Sequence, residues 1–295
     1  MQTENAPTKI LVLGATGMLG HVMYRVLSEQ LGAQVFGTLR SSDARRHFEP
    51  NLAAHLVQVD DLESHEHLVR LFDTVKPQVI VNCTSLGKPM PSDPMRSIAM
   101  FSVLPHRLAR LCRLNGARLI QISSDGVFSG ATGQYREDDV PDATDVYGTA
   151  KYLGEVNEPH AITLRTSIIG PELSGRSGLL GWFLSQDKEC RCYTRAIFSG
   201  FPTVVLARII RDVVIPLPDL HGVYHLATAP ISKFDLLALI ARRYGKNIAL
   251  VPDDTLVMDR SLLADKFTQA TGYAPPAWPE LVDSMYSYQF SLRRV

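Results

Sequence analysis

Two residues set the chemistry this chain can do. Tyr147 and Lys151 stand four positions apart, so on a helix they share a face. A phenol with an ordinary pKa of ~10 is a poor proton donor or acceptor at neutral pH, and a neighbouring cation that stabilises the phenolate lowers that value. Tyr147 can then act as a general acid or base. The spacing alone also suits a solvated lysine beside a half-buried tyrosine. Its weight comes from Ser123-Ser124-Asp125 upstream and a glycine-rich turn near the start of the chain. Ser124 is the hydroxyl expected to face a reacting oxygen, although serines after strands commonly only satisfy backbone groups.

The turn is Gly14-Ala15-Thr16-Gly17-Met18-Leu19-Gly20. It follows an apolar run over residues 9–13 and precedes Leu19, Val22, Met23, Val26 and Leu27 at helical spacing. Strand, tight turn and helix in that order let glycines bend the chain, let backbone approach a pyrophosphate, and aim helix-start amides at it. Gly14, Thr16, Gly17, Met18 and Leu19 are therefore the expected cofactor-binding residues.

Further elements must place these groups. Residues 34–40 read as a second strand ending at Arg40, a position near the adenosine ribose where a basic residue accommodates the extra phosphate of NADP. Residues 56–62 read as a third strand. At its end Asp61 and Leu62 are expected near the adenine, with helix capping the other reading of Asp61. Residues 79–83 form the fourth, opening at Cys83 and Thr84 into a cofactor-side loop; Lys88 in that loop reads as a solvated lysine or a contact to a substrate phosphate. A long helix is expected over residues 95–115 with Gly116 as its stop, then a fifth strand over 118–122 that delivers Ser124. A loop over 129–144 precedes the Tyr147 helix, and a sixth strand over 161–166 brings Thr166 to the same edge. This alternation predicts an α/β, doubly wound parallel sheet covered on both faces. The pattern loosens after residue 170. We therefore expect a nucleotide-binding domain over 8–170 and mainly a substrate-binding region over 171–295, with some segments returning to the first. Trp182 and Phe183 there read as core.

Composition narrows the partners. Thirty basic and thirty acidic residues in 295 leave no net field for nucleic acid or an anionic membrane, and no run is apolar enough to span one. The polar start lacks the pattern of a signal peptide, so a cytoplasmic protein acting on a small molecule is expected. Cys83, Cys112, Cys190 and Cys192 read as reduced structural thiols, and neither they nor the nine histidines form a metal pattern. His65 and His67, two apart, point to different sides of a helix.

With the glycine turn, Ser124, Tyr147 and Lys151 together, the chain resembles the extended short-chain dehydrogenase/reductases, and within them the dTDP-4-dehydrorhamnose reductase family of sugar-nucleotide 4-ketoreductases. The likeness is carried by residues 14–20, 123–128, 145–155 and Leu164-Arg165-Thr166-Ser167-Ile168-Ile169-Gly170. It implies a Rossmann domain binding NADPH, with NADH an alternative, and a smaller C-terminal α/β domain over a nucleotide-sugar. It further implies hydride delivery to a C4 ketone, and it allows a homodimer. Tyr147 would protonate the developing alkoxide, Lys151 would hold the nicotinamide ribose and acidify Tyr147, and Ser124 would bond the reacting oxygen. Ser124, Asp125 and Tyr147 would thus meet the substrate.

Two departures from relatives matter. Related dehydratases carry an Asp-Glu pair after the active-site hydroxyl, where this chain has Asp125-Gly126. Relatives often carry Asn where this chain has Phe101, with Ser102 beside it. Phe101 supports a rival reading, a nucleotide-binding regulatory subunit resembling the beta subunit of methionine adenosyltransferase. A nucleotide-sugar epimerase is a further alternative.

Overall fold

The computed structural model describes residues 7–29, 33–87 and 93–292. Lys88 lies outside them. The organising element is a seven-stranded sheet. Its strands in chain order are β1 (Thr8–Leu13), β2 (Ala33–Leu39), β3 (Leu56–Gln58), β4 (Val79–Asn82), β5 (Arg118–Ile122) and β6 (Ala161–Arg165), joined by the late strand Gly222–His225. Across the sheet the order is Gly222–His225, β6, β5, β4, β1, β2, β3, and every neighbouring pair is parallel. The order reverses between β1 and β4, so their carboxyl ends open a crevice in which such folds bind nucleotides. This is the doubly wound Rossmann arrangement.

Alternation along β1 explains why the sheet is covered on both sides. Ile10 and Val12 enter one core with Val22, Met23 and Val26 of the Gly20–Ser28 helix; Leu11 and Leu13 enter another with Leu68, Phe72, Leu104 and Leu108. The strand Gly222–His225 belongs to the main sheet although it comes late in the chain. The remaining C-terminal strands form small sheets: Glu189–Tyr193 with Ala249–Asp253, and Ala196–Phe198 between Ile231–Ser232 and Met258–Asp259. Phe183 is fully buried, as expected; Trp182 is 39% exposed, which corrects its reading as core.

Local chemistry sets the boundaries. The His65–Val75 helix is capped by Ser64, whose hydroxyl accepts from the His67 amide, so the expectation that Asp61 might cap it fails. The Asp61 carboxylate instead accepts from the Glu63 amide at 2.7 Å and closes the turn after β3, which ends earlier than expected. The Lys233–Tyr244 helix begins at Ser232, which accepts from the Asp235 amide, and ends at Gly245 with φ +63°.

The long helix expected over residues 95–115 is not continuous. Pro94–Ser97 and Leu104–Asn115 are α-helical, but Ile98–Val103 between them widens to a π-turn. Pro105 has no amide hydrogen, so it cannot bond the Phe101 carbonyl four residues back. That carbonyl approaches Gly154 so closely that a Cβ there would lie 1.8 Å from it. The widened turn thereby seats Phe101 against the helix that carries Tyr147 and Lys151.

Candidate active site

The glycine turn is shaped by contact on both sides. Gly14 has φ +76°, open to glycine, and a Cβ there would stand 3.0 Å from the Cys83 carbonyl and 3.1 Å from Thr84 Cα. Its amide donates to Thr38 Oγ1 at 3.0 Å, and the Ala15 amide to the Thr38 carbonyl at 2.9 Å. A Cβ on Gly20 would lie 1.9 Å from the Gly14 carbonyl, so the first helical turn presses onto the bend. Thr16, Gly17, Met18 and Leu19 lead into the helix start, where the Gly17 amide donates to the Gly14 carbonyl at 3.0 Å and the His21 amide to the Gly17 carbonyl at 3.1 Å. Met18 also reaches the C-terminal region, since a Cβ on Gly178 would meet its methyl at 2.3 Å. This cradle of bare backbone fits a pyrophosphate. Arg40, exposed, and Asp61 and Leu62 lie at the carboxyl ends of β2 and β3, on the opposite flank of the crevice from Ser124.

Ser124 begins the short 3-10 turn Asp125–Val127 after β5. Its hydroxyl accepts from the Gly126 amide at 3.0 Å and donates to Asp125 Oδ1 at 3.2 Å. The Tyr147 ring lies beside Ser124: a Cβ on Gly126 would stand 3.1 Å from both Tyr147 Cε1 and Ser124 Oγ. Tyr147 rides on the Val146–Leu153 helix, capped by Asp145, whose carboxylate accepts from the Gly148 amide at 2.9 Å. Gly148 fits there only as glycine, because a Cβ would meet the Gly126 carbonyl at 2.2 Å. Two loop segments are thus locked together, and Ser124, Asp125 and Tyr147 meet as the sequence predicts. Thr166 accepts the Asp125 amide on its backbone carbonyl at 3.2 Å.

Lys151 is buried against the end of β5. Its Nζ donates to the Ile122 carbonyl at 2.7 Å and stands 5.2 Å from the centre of the Phe101 ring. Burial lowers its pKa to about 8, while the charge of Glu155 opposes that fall. The Cys83 thiol, also buried, is pushed up to about 12. Because Cys83 abuts Gly14, Lys151 lies on the side of the glycine turn.

One electrostatic expectation is overturned. Tyr147 is not acidified: burial raises its pKa, partly opposed by the Ser124 hydroxyl and by the charge of Arg260, while Asp125 and Asp145 raise it further. Desolvation of the phenolate outweighs the cations around it, and Lys151 is engaged with the Ile122 carbonyl.

Four participants escaped the sequence reading. Ser167 bears on the Asp125 carboxyl, which burial pushes upward in pKa against the charges of Arg260 and Lys233 and the nearby hydroxyls of Ser124 and Ser167. Arg260 is held in place by the Ser129 carbonyl at 3.4 Å from its Nε. Glu155 binds Arg165. Glu155 ends the 145–155 stretch and Ser167 lies within 164–170, both of which carry the family likeness; Lys233 and Arg260 lie far along the chain, outside those stretches. Among the described residues no group of three or more His, Cys, Asp and Glu side chains is placed to hold a metal ion. All four cysteines are free and buried. Among the described residues, no helix is long and apolar enough to cross a membrane.

The chain is similar to known proteins in sequence and in fold. The probable low-salt glycan biosynthesis reductase Agl14 of Haloferax volcanii is 34% identical over 179 residues, covering 58% of this chain and 57% of that protein. Methionine adenosyltransferase 2 subunit beta of Xenopus laevis is 32% identical over 265 residues, covering 80% of this chain and 72% of that protein. In fold, dTDP-4-dehydrorhamnose reductase from Bacillus anthracis str. Ames, solved in complex with NADP, superimposes with a TM-score of 0.76 at 18% identity, covering 96% of this chain and 99% of that one. The family model for the RmlD substrate binding domain matches residues 8–286, and the chain belongs to that family.

Proposed function

We propose that this protein is an NADPH-dependent reductase of the C4 ketone of a nucleotide-diphospho-4-keto-6-deoxysugar, with Tyr147 as proton donor. The observation that carries the reading is the convergence of Ser124, Asp125 and Tyr147 at one sheet edge, with Lys151 one helical turn away toward the glycine turn. The backbone of Gly14, Thr16, Gly17, Met18 and Leu19 would hold the pyrophosphate, and Arg40 the additional phosphate of NADPH. Asp61 and Leu62 would flank the adenine; Cys83, Thr84, Lys151 and Thr166 would line the path toward the nicotinamide. A bound nicotinamide cofactor supplies the hydride.

The side chains supply the rest. Ser124 bonds the ketone oxygen and Tyr147 gives it a proton as the carbonyl becomes an alcohol. The raised pKa keeps Tyr147 protonated at neutral pH but makes it a weaker acid, so its proton is given up only to the developing alkoxide, a far stronger base than the phenolate. Tyr147→Phe removes one oxygen and should leave NADPH affinity nearly unchanged while lowering turnover by about 100- to 10,000-fold. Wild-type turnover of a 4-keto sugar nucleotide by Tyr147→Phe would assign the proton to another group.

A second reading is a nucleotide-binding partner subunit, favoured by the Xenopus laevis match and by Phe101. Retention of hydroxyl, phenol and ammonium favours the enzyme, because binding alone does not require all three. NADPH oxidation dependent on a 4-keto sugar nucleotide separates them. Stable association with an adenosyltransferase and no turnover would establish the second reading. An epimerase would instead retain oxidised cofactor through purification, visible in the absorbance of the isolated protein.

A further inference from the structure

A buried polar chain runs behind the candidate site. Glu155 Oε1 accepts from Ser123 Oγ and from Arg165 Nε, each at 2.8 Å, and Glu155 Oε2 accepts from Arg165 Nη2 at 2.8 Å. The two charged side chains are 4% and 5% exposed. Arg165 Nη1 continues to His225 Nε2 at 3.2 Å and to the Glu137 carbonyl at 3.4 Å. Since Nε2 faces a donor and Nδ1 lies 3.1 Å from the Tyr135 carbonyl, His225 is the neutral tautomer with its proton on Nδ1. Its amide donates to Glu137 Oε1 at 2.8 Å. The Arg165 guanidinium also lies over Phe128, which stacks on Tyr135 at 4.1 Å.

This chain joins parts that local sequence cannot hold together. Ser123 precedes Ser124 at the end of β5, and Glu155 follows the helix of Tyr147 and Lys151. Glu137 and Tyr135 belong to the 129–144 loop, whose Tyr135 amide donates to the Ser261 carbonyl beside Arg260. A bidentate, nearly dry guanidinium-carboxylate pair fixes distance and angle together. It also sets a negative charge four residues after Lys151, whose ammonium is otherwise faced by the Cys83 thiol, the Ile122 carbonyl and the Phe101 ring.

We propose that Glu155 is the positioning residue of this centre: its carboxylate sets the Ser123-Ser124 strand end against the Lys151 helix, and Arg165 carries that restraint to the 129–144 loop. It is also the fixed counter-charge that keeps Lys151 an ammonium at neutral pH. The effect on turnover rests on the reductase reading; the effect on Lys151 does not.

The test reads Lys151 directly. In full-length protein carrying lysine labelled with carbon-13 at Cε, the Lys151 resonance, assigned with Lys151→Arg, should titrate at about 8. Glu155→Gln leaves Arg165 an unpaired buried cation, so the double variant E155Q/R165M is made beside it to restore a foldable interior. In Glu155→Gln the Lys151 midpoint should fall by about one unit or more, the loss expected when a nearby opposite charge is removed; in the double variant, which also removes the Arg165 cation, it should fall by less. Glu155→Asp keeps the charge but withdraws it by one methylene. Its Lys151 midpoint should stay near that of the parent while kcat for a 4-keto sugar nucleotide falls, on the order of 100-fold for an ångström-scale misplacement, and KM changes little.

An unmoved midpoint in folded Glu155→Gln overturns the counter-charge role. Parental kcat in Glu155→Asp, measured on a parent that does turn over, overturns the positioning role. If Glu155→Gln does not fold, a double-variant midpoint that is not below the parent's overturns the counter-charge role, and if that fails to fold as well, a Glu155→Asp midpoint above the parent's does so, because withdrawing the carboxylate can only weaken its hold on the ammonium. No turnover by the parent itself would count against the reductase reading, and the Lys151 titration would still decide the counter-charge role.

Discussion

The Phe101 ring meets the Tyr147 ring edge-on, with centroids 5.4 Å apart and planes at 87°. The same ring lies beneath Lys151 Nζ, so one apolar side chain bears on both groups of the helix. The π-turn before Pro105 puts it there. The aromatic contact packs one side of the Tyr147 ring and limits the space into which it can turn.

Phe101→Leu keeps apolar bulk and removes that edge. We expect a loss of stability of about 1 kcal/mol and a turnover lowered more than NADPH affinity, read from urea unfolding and from kinetics at saturating NADPH. Unchanged turnover would mean that the Tyr147 rotamer is set elsewhere.

Arg260→Gln tests the cation whose charge bears on the phenol. Its charge holds the Tyr147 pKa down, so its removal should raise the pKa further and move the alkaline limb of the pH-rate profile upward. Arg260→Lys should return the limb toward its original position. A profile indifferent to the charge at this position would remove Arg260 from the account.

Arg40→Ala tests cofactor choice. NADPH should bind more weakly while NADH is affected little, measured by fluorescence titration with each. An unchanged ratio of the two affinities would place the extra phosphate on another residue.

Two buried histidines set an acid limit on stability. Burial lowers His21 to about 4 and, helped by the charge of Arg165, His225 to about 3, against ~6.5 in an unfolded chain. Both folded values are depressed, so the unfolded chain takes up protons first as pH falls. Their contribution is fully present above about pH 6.5 and is lost as pH drops toward 4 and then 3. Between pH 7 and 5 the loss should be on the order of 1–2 kcal/mol for each histidine, seen as a falling urea midpoint. His225→Asn should flatten that dependence; an equally steep fall in this variant would place the uptake elsewhere.

The sequence by itself determined whatever is local. The alternation of Ile10, Leu11, Val12 and Leu13, the bend at Gly14, the cap at Ser232 and the four-residue step from Tyr147 to Lys151 are set by neighbouring residues and by the two backbone periods. They were enough for the parallel sheet and for the meeting of Ser124 with Tyr147. What lay beyond them required distant segments to meet. The π-turn at Phe101 could have been suspected from Pro105, but its use depends on Gly154 lying against it. Arg260 and Lys233 reach Asp125 from far along the chain, and Arg165 finds Glu155 and His225 on separate elements. The direction of the Tyr147 shift belongs to the same class. A lysine one turn away argues for acidification, yet burial decides the opposite, because desolvation is a property of everything packed around a group and not of its neighbours in sequence.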